Sequence, residues 1–222
     1  MAETAKVAAQ AFIAEVAALN SRYTPAIRAV RRARSRAWKN APARFVTEVV
    51  LEVAACREHR WARWMAYEIV RFHKGAFAAL NDRTLAKFAV DLDSWDSVDA
   101  FGRVLTGAAW AQGLASDALI DRWARSRDLW HRRLALVSTI GLNMPADGGK
   151  GDTRRTLAIC TRLADDPEDM IVKALSWTLR VLMARDPKAV ARFMAEHDAV
   201  LAPRIKREVA NKQRTGKISG KV

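Results

Sequence analysis

Long apolar runs are missing from this sequence. None approaches the ~18 to 20 uninterrupted apolar residues that a helix needs to cross a bilayer, so no membrane-spanning segment is expected. Cysteine is scarce: Cys56 and Cys160 stand far apart, each in an apolar stretch. A disulfide framework is thereby excluded, and the pattern suits reduced core thiols in a cytoplasmic protein. His59, His73, His131 and His197 show no ligand spacing, so no metal site is expected. Only 10 glycines and 6 prolines are present, which argues against a sheet protein with its many tight turns. The first ten residues include Glu3 and lack the basic-then-apolar order of a secretory signal. There is no G-x-x-x-x-G-K-S/T loop and no strand-linked G-x-G-x-x-G, so no nucleotide cofactor is expected.

Acid is also missing, from one long stretch. Between 16 and 47 there is no Asp or Glu, while Arg22, Arg28, Arg31, Arg32, Arg34, Arg36, Lys39 and Arg44 all fall there. A second basic block, Arg204, Lys206, Arg207, Lys212, Arg214, Lys217 and Lys221, contains the single acid Glu208. Across 222 residues, 38 Lys and Arg against 24 Asp and Glu leave a net charge of +14. Self-repulsion of that size is costly unless a polyanion relieves it. Two basic blocks with so little acid favour nucleic acid over an anionic membrane surface, gripped through its phosphates with salt-sensitive affinity.

What remains reads as helix. Half the residues are hydrophobic (50%), enough for a folded core. Pro25, Pro42, Pro145, Pro167, Pro187 and Pro203 fall where helical patterns start or stop, several just after a capping residue. Between them lie roughly twelve helical segments of ordinary length: 3–20, 24–40, 42–55, 58–79, 82–93, 94–112, 116–127, 129–143, 152–165, 167–184, 186–197 and 200–212. Short connections make neighbours antiparallel. Stacked helix pairs or a compact bundle would both satisfy this pattern. The segment 143–152, with Pro145, Gly148, Gly149 and Gly151, reads as a mobile loop. One domain is expected over 1–213, with a disordered basic tail over 214–222.

Two constellations stand off the apolar stripes. Ser94 can cap a helix in which Trp95 and Asp99, at i and i+4, share a face. The core stripe of that helix runs through Val98, Phe101, Leu105 and Ala108, well over a quarter turn away. Gly102 beside the pair would admit a close backbone or a phosphate. In 167–184, Lys173, Trp177 and Arg180 share a face opposite Ile171, Leu175, Leu179 and Leu182. An aromatic between two cations suits sugar and phosphate contact. Trp61 and Trp64, with Met65 and Phe72, read as core, as do Trp38, Trp110 and Trp123. Arg133 is anomalous, because it shares a stripe with Leu129, Leu136 and Ile140. An arginine there needs either an acidic partner or an anionic ligand.

At this point the sequence resembles the AlkD-like DNA alkylation-repair glycosylases. The residues that carry the likeness are Thr24-Pro25-x-x-Arg28, Ser94-Trp95-Asp96-Ser97-Val98-Asp99 and Leu129-Trp130-x-x-Arg133-x-Ala135. They continue with Lys173-Ala174-Leu175-x-Trp177-x-Leu179-Arg180 and Leu201-Ala202-Pro203-x-x-Lys206-Arg207-Glu208. The resemblance implies an all-α superhelix of about six HEAT-like helix pairs with a basic concave face. It implies hydrolysis of the N-glycosidic bond of cationic N3- or N7-alkylated purines in duplex DNA, by a monomer without cofactor, and without enclosing the displaced base. Asp99, Trp95 and Trp177 take the catalytic positions. Arg133 takes a backbone-binding position, joined by Lys173, Arg180, Lys206, Arg207 and Arg28. Ser94 stands where some members carry a second tryptophan, and 143–152 is a few residues longer than usual. A non-catalytic nucleic-acid binder and a protein–protein scaffold are the competing readings of such a fold.

Overall fold

The computed structural model describes residues 4–19, 24–56, 58 and 60–216, with the side chains of 24, 60 and 61 left out. Arg22, His59, the Trp61 side chain and the tail from 217 onward therefore lie outside the described residues.

All regular structure among the described residues is helical. In chain order the elements are α1 (Ala5–Ala17), α2 (Thr24–Ala37), α3 (Ala43–Ala55), α4 (Arg60–Phe72), α5 (Lys74–Ala78), α6 (Asp82–Phe88) and α7 (Trp95–Asp99). A π-helical segment (Ala100–Thr106) continues α7 directly into α8 (Gly107–Ala111). There follow α9 (Asp117–Ala124), α10 (Leu129–Asn143), a single 3-10 turn (Pro145–Asp147), α11 (Thr153–Arg162), α12 (Asp169–Leu182), α13 (Pro187–Glu196) and α14 (Pro203–Thr215). The segment expected at 94–112 is thus one continuous helix with a wide turn in its middle. The Gly107 N–H bonds the carbonyl five residues back, at Gly102.

Two expected helices are shorter than their patterns. The segment 58–79 breaks at His73, which takes an extended conformation and accepts the Ala76 N–H on Nδ1 at 2.9 Å. It thereby ends α4 and caps α5. The segment 82–93 ends early, near Asp91, whose φ of 54° is left-handed. Buried Arg63 takes up the freed carbonyls of Asp91 (2.7 Å) and Val90 (2.6 Å).

The helices stack in a row. Contacts run from α1 to α3, from α3 to α4, from α4 to α7 and the π segment, and from there to α10, α12 and α14. The arrangement is an all-helical superhelix in which each layer buries its apolar face against the next. Trp38, Trp110 and Trp123 are buried, and a ladder of rings joins Tyr67, Phe88, Phe101 and Trp123. Cys160 is buried and Cys56 half-buried, both as free thiols. α10 is the interior helix, buried from Arg133 to Asn143. Asp128 caps it by accepting the N–H groups of Trp130 (2.7 Å) and His131 (3.1 Å).

Glycines bring α10 against the 95–111 run. A Cβ on Gly141 would stand 2.6 Å from the Arg103 carbonyl oxygen and 2.8 Å from Gly107 Cα. Gly102 belongs to the same contact, since a Cβ there would meet Val137 Cγ1 at 3.0 Å. Of the two partners expected for it, a close backbone or a phosphate, the structure supplies the close approach of another helix, α10. Gly141→Ala is accordingly expected to destabilise the fold by about 1–3 kcal/mol, measurable as a lower denaturant midpoint at unchanged slope. An unchanged midpoint would show that the two backbones can part without cost.

The segment 143–152 is not the mobile loop its composition suggests. Asp147 is buried and pairs with Arg103, with Nε to Oδ2 at 2.7 Å. Arg185 donates to the carbonyls of Asn143 (2.9 Å) and Gly149 (3.2 Å). The Asn143 side chain accepts the Asp152 N–H at 3.1 Å.

Candidate active site in a basic cleft

The row of helices leaves a cleft of about 650 Å³, lined by α2 (Arg28, Arg31, Arg32), α4 (Trp64, Glu68, Phe72), α7 (Trp95, Asp96, Asp99) and α12 (Trp177). Ala100, Arg103 and Val104 from the π segment and Asp147 from the 3-10 turn complete its wall. The i, i+4 spacing that placed Trp95 and Asp99 on one face holds, and Trp177 faces the same space from a separate helix. Trp95 is 57% exposed at the start of α7. Trp177 is half-buried, with one side packed on the core.

Asp99 is held from below. Arg133 donates Nε–H to Oδ1 and Nη2–H to Oδ2, both at 2.8 Å, a parallel pair matching the fork of the guanidinium to the carboxylate. The remaining arm, Nη1, donates to the Met170 carbonyl at 2.5 Å. The Arg133 side chain is 6% exposed and that of Asp99 18%. This resolves the anomaly of an arginine on an apolar stripe: the partner is an acid within the protein. It also corrects the backbone-binding role implied for Arg133, because a guanidinium buried beneath Asp99 does not present itself to a phosphate.

Burial pushes the Asp99 carboxyl above its ordinary value, and the Arg133 guanidinium opposes but does not cancel that effect. The nearby Asp96 adds a smaller upward push.

The remaining predicted contacts divide. Arg28 is exposed, lines the cleft and lies over the Trp64 ring at 5.7 Å. Lys173 pairs with Asp169 at 2.6 Å, and Lys206 with Asp198 at 2.8 Å. Arg180 is mostly buried, donates Nε–H to the Ser176 carbonyl at 3.1 Å and faces Glu208 at 3.4 Å. It joins α12 to α14 and is not the outward cation its helix face suggested. Arg207 is exposed on α14, outside the cleft.

Two residues read as core belong instead to the site. Trp64 is only partly buried and Phe72 is 59% exposed. They bracket Glu68 at i, i+4 and i+8 on α4; Glu68 is itself buried and ion-paired with Arg31 at 2.9 Å, while the apolar residues that helix buries are Ala62, Met65, Ala66, Tyr67, Ile69 and Val70. The charged Glu68 midway along the Trp64–Phe72 line was the available signal that this stripe is not the core. Among the described residues no group of three or more His, Cys, Asp or Glu could hold a metal ion. No helix there is long and apolar enough to cross a membrane.

A family model, that of the DNA alkylation repair enzymes, matches residues 2–212. The chain belongs to that family. No curated protein matches the chain at a significant level. Membership makes this an enzyme of DNA repair, with alkylated DNA as its substrate. The matched span runs from before α1 into α14, so the cleft and every helix that lines it lie inside it.

Proposed function

We propose that the chain is a DNA glycosylase that hydrolyses the N-glycosidic bond of cationic N3- or N7-alkylated purines in duplex DNA. The observation that carries this reading is the Asp99 carboxylate, fixed by two parallel bonds from Arg133 in a cleft that Trp95 and Trp177 also line. A carboxylate pinned at one side cannot swing away to meet an incoming cation, so its field is preorganised.

An alkylated purine already carries positive charge and leaves without a strong acid. The bond from C1′ to the base nitrogen breaks and its electron pair neutralises the base. The sugar is left as an oxocarbenium-like cation. Asp99 stabilises that cation and orients a water, whose oxygen bonds to C1′ and whose proton passes to the carboxylate or to solvent. The products are the neutral alkylated base and an abasic sugar. The faces of Trp95 and Trp177 add cation–π attraction to the developing charge. Arg28 and Arg32 at the rim suit phosphate contact. Because the cleft is open, the reading does not require an enclosed base pocket.

The decisive assay is release of 3-methyladenine or 7-methylguanine from methylated duplex DNA, with Asp99→Asn alongside. Salt-sensitive binding with no release from any alkylated duplex would overturn the reading.

The pH dependence follows from the carboxylate. Base release is expected to fall on the acid side with an apparent pKa above the ordinary aspartate value, because protonated Asp99 cannot stabilise the sugar cation. A rate profile against pH on one methylated duplex checks it, and a limb at or below the usual aspartate value would contradict it. Stability responds with the opposite sign. With its folded pKa above the unfolded one, Asp99's contribution is fully present below the unfolded pKa. That contribution is lost as pH rises through the folded pKa.

A further inference from the structure

Four consecutive carbonyls close the C-terminal end of α6, and each accepts a hydrogen bond from a side chain of another helix. From α4, Tyr67 donates its hydroxyl to Phe88 at 3.0 Å. Arg63, also on α4, donates Nη2–H to Val90 at 2.6 Å and Nη1–H to Asp91 at 2.7 Å. From α10, His131 reaches the Ala89 oxygen with Nε2 at 3.1 Å. A carbonyl can only accept, so that nitrogen carries the ring proton. Arg63 and Tyr67 are buried, and the His131 ring lies parallel to Trp123 with centroids 6.4 Å apart. None of these three side chains lines the cleft.

The grip encloses the left-handed Asp91, a conformation that a non-glycine residue keeps only where its surroundings impose it. Helix α7 begins four residues further on, with Trp95 as its first residue. Trp95 is more than half exposed, so the backbone that carries it does more to place it than its own packing does. α7 is only five residues long and packs on both α4 and α10. Its far end is already held, because Arg133 of α10 pairs with Asp99. His131 stands two residues before Arg133 on the same helix. α10 thus holds the end of α7 through Arg133 and the chain that feeds its start through His131.

We propose that Arg63, Tyr67 and His131 are positioning residues for Trp95. By fixing the carbonyls of 88–91 they set where the N-terminal end of α7 stands, and with it the separation of Trp95 from Trp177 in the cleft. Loss of the grip leaves Asp99 paired with Arg133 but lets Trp95 move from its place. The inference rests on the glycosylase reading for what Trp95 does, and its first readout requires no catalysis.

The test uses fluorine NMR of the full chain labelled with fluorotryptophan, the resonances of Trp95 and Trp38 being assigned by Trp95→Phe and Trp38→Phe. His131→Leu removes the donor to Ala89, and Tyr67→Phe removes only the hydroxyl. His131→Gln keeps an N–H within reach of the same carbonyl. His131→Leu and Tyr67→Phe are expected to shift or broaden the Trp95 resonance. The resonance of Trp38, packed against Phe12 and Phe45, stays unmoved. Single-turnover release of 7-methylguanine is expected to slow about tenfold in both, since small misplacements at a reacting centre are costly. Kd for an undamaged duplex is expected to change less than about twofold. His131→Gln restores both the resonance and the rate. A purely structural grip would lower the melting temperature and leave the Trp95 resonance and the release rate where they are. That result, or a His131→Gln protein as impaired as His131→Leu, overturns the proposal. Thermal unfolding shows which variants fold, and Tyr67→Phe carries the test if His131→Leu does not. A wild type that releases no base sinks the glycosylase reading, and the Trp95 resonance still decides this one. An unmoved Trp95 resonance in folded variants, beside an active wild type, sinks this inference alone.

Discussion

Asp99→Asn is expected to slow base release by about two to three orders of magnitude, the scale seen when one preorganised electrostatic contact is removed from a reacting centre. The substitution keeps the shape of the side chain and removes its charge. The amide oxygen can still accept one bond from Arg133, but the amide nitrogen would turn an N–H toward an N–H. The sugar cation would lose its counter-charge, and the attacking water its acceptor. DNA binding is expected to persist, because Arg28 and Arg32 at the rim do not depend on Asp99. Single-turnover release of 7-methylguanine, with binding measured on the same preparation, separates these effects. Robust release by Asp99→Asn would remove Asp99 from the mechanism.

Arg133→Met is expected to have the largest effect on stability. It leaves a mostly buried carboxylate without its partner, at a cost of about 3–5 kcal/mol. For a chain of this size that corresponds to a melting temperature lower by about 6 to 20 °C. A purely structural arginine would stop there. A positioning residue for Asp99 makes a further demand: the acid limb of base release must move to higher pH, because the guanidinium is what opposes the effect of burial on Asp99. Combining Asp99→Asn with Arg133→Met should cost less than the two singles together, since the second change removes a charge already orphaned by the first. Stability near wild type in Arg133→Met, or an unmoved acid limb, would show that the pair does not set the chemistry of Asp99.

The sequence was most informative where a residue type contradicted its helical position. Trp95 off the apolar stripe, Trp177 between cations and Arg133 among leucines were each out of place; both tryptophans line the cleft, and Arg133 pairs with Asp99 beneath it. Legibility failed where the deciding contact is distant along the chain. Arg180 and Lys206 look like outward cations until Glu208 and Asp198 come into view. The Pro- and Gly-rich 143–152 reads as mobile because its anchors, Arg103 and Arg185, lie in other helices. The α4 ridge failed differently, since Trp64 and Phe72 carry the composition of a core and only Glu68 betrays the face. The π segment left no signal in residue spacing, as one additional residue per turn barely alters an apolar stripe so short.

The row of layers has a consequence for where the molecule can fray. α14 can detach by giving up its contact with α12, and α1 can leave while the middle of the row stays closed. Opening at α10 would break the row on both sides at once. Asp99 and Arg133 sit across that interior junction, between α7 and α10. The carboxylate proposed to react is thus placed in the layer least able to breathe, while the end helices α1 and α14 retain more freedom to adjust.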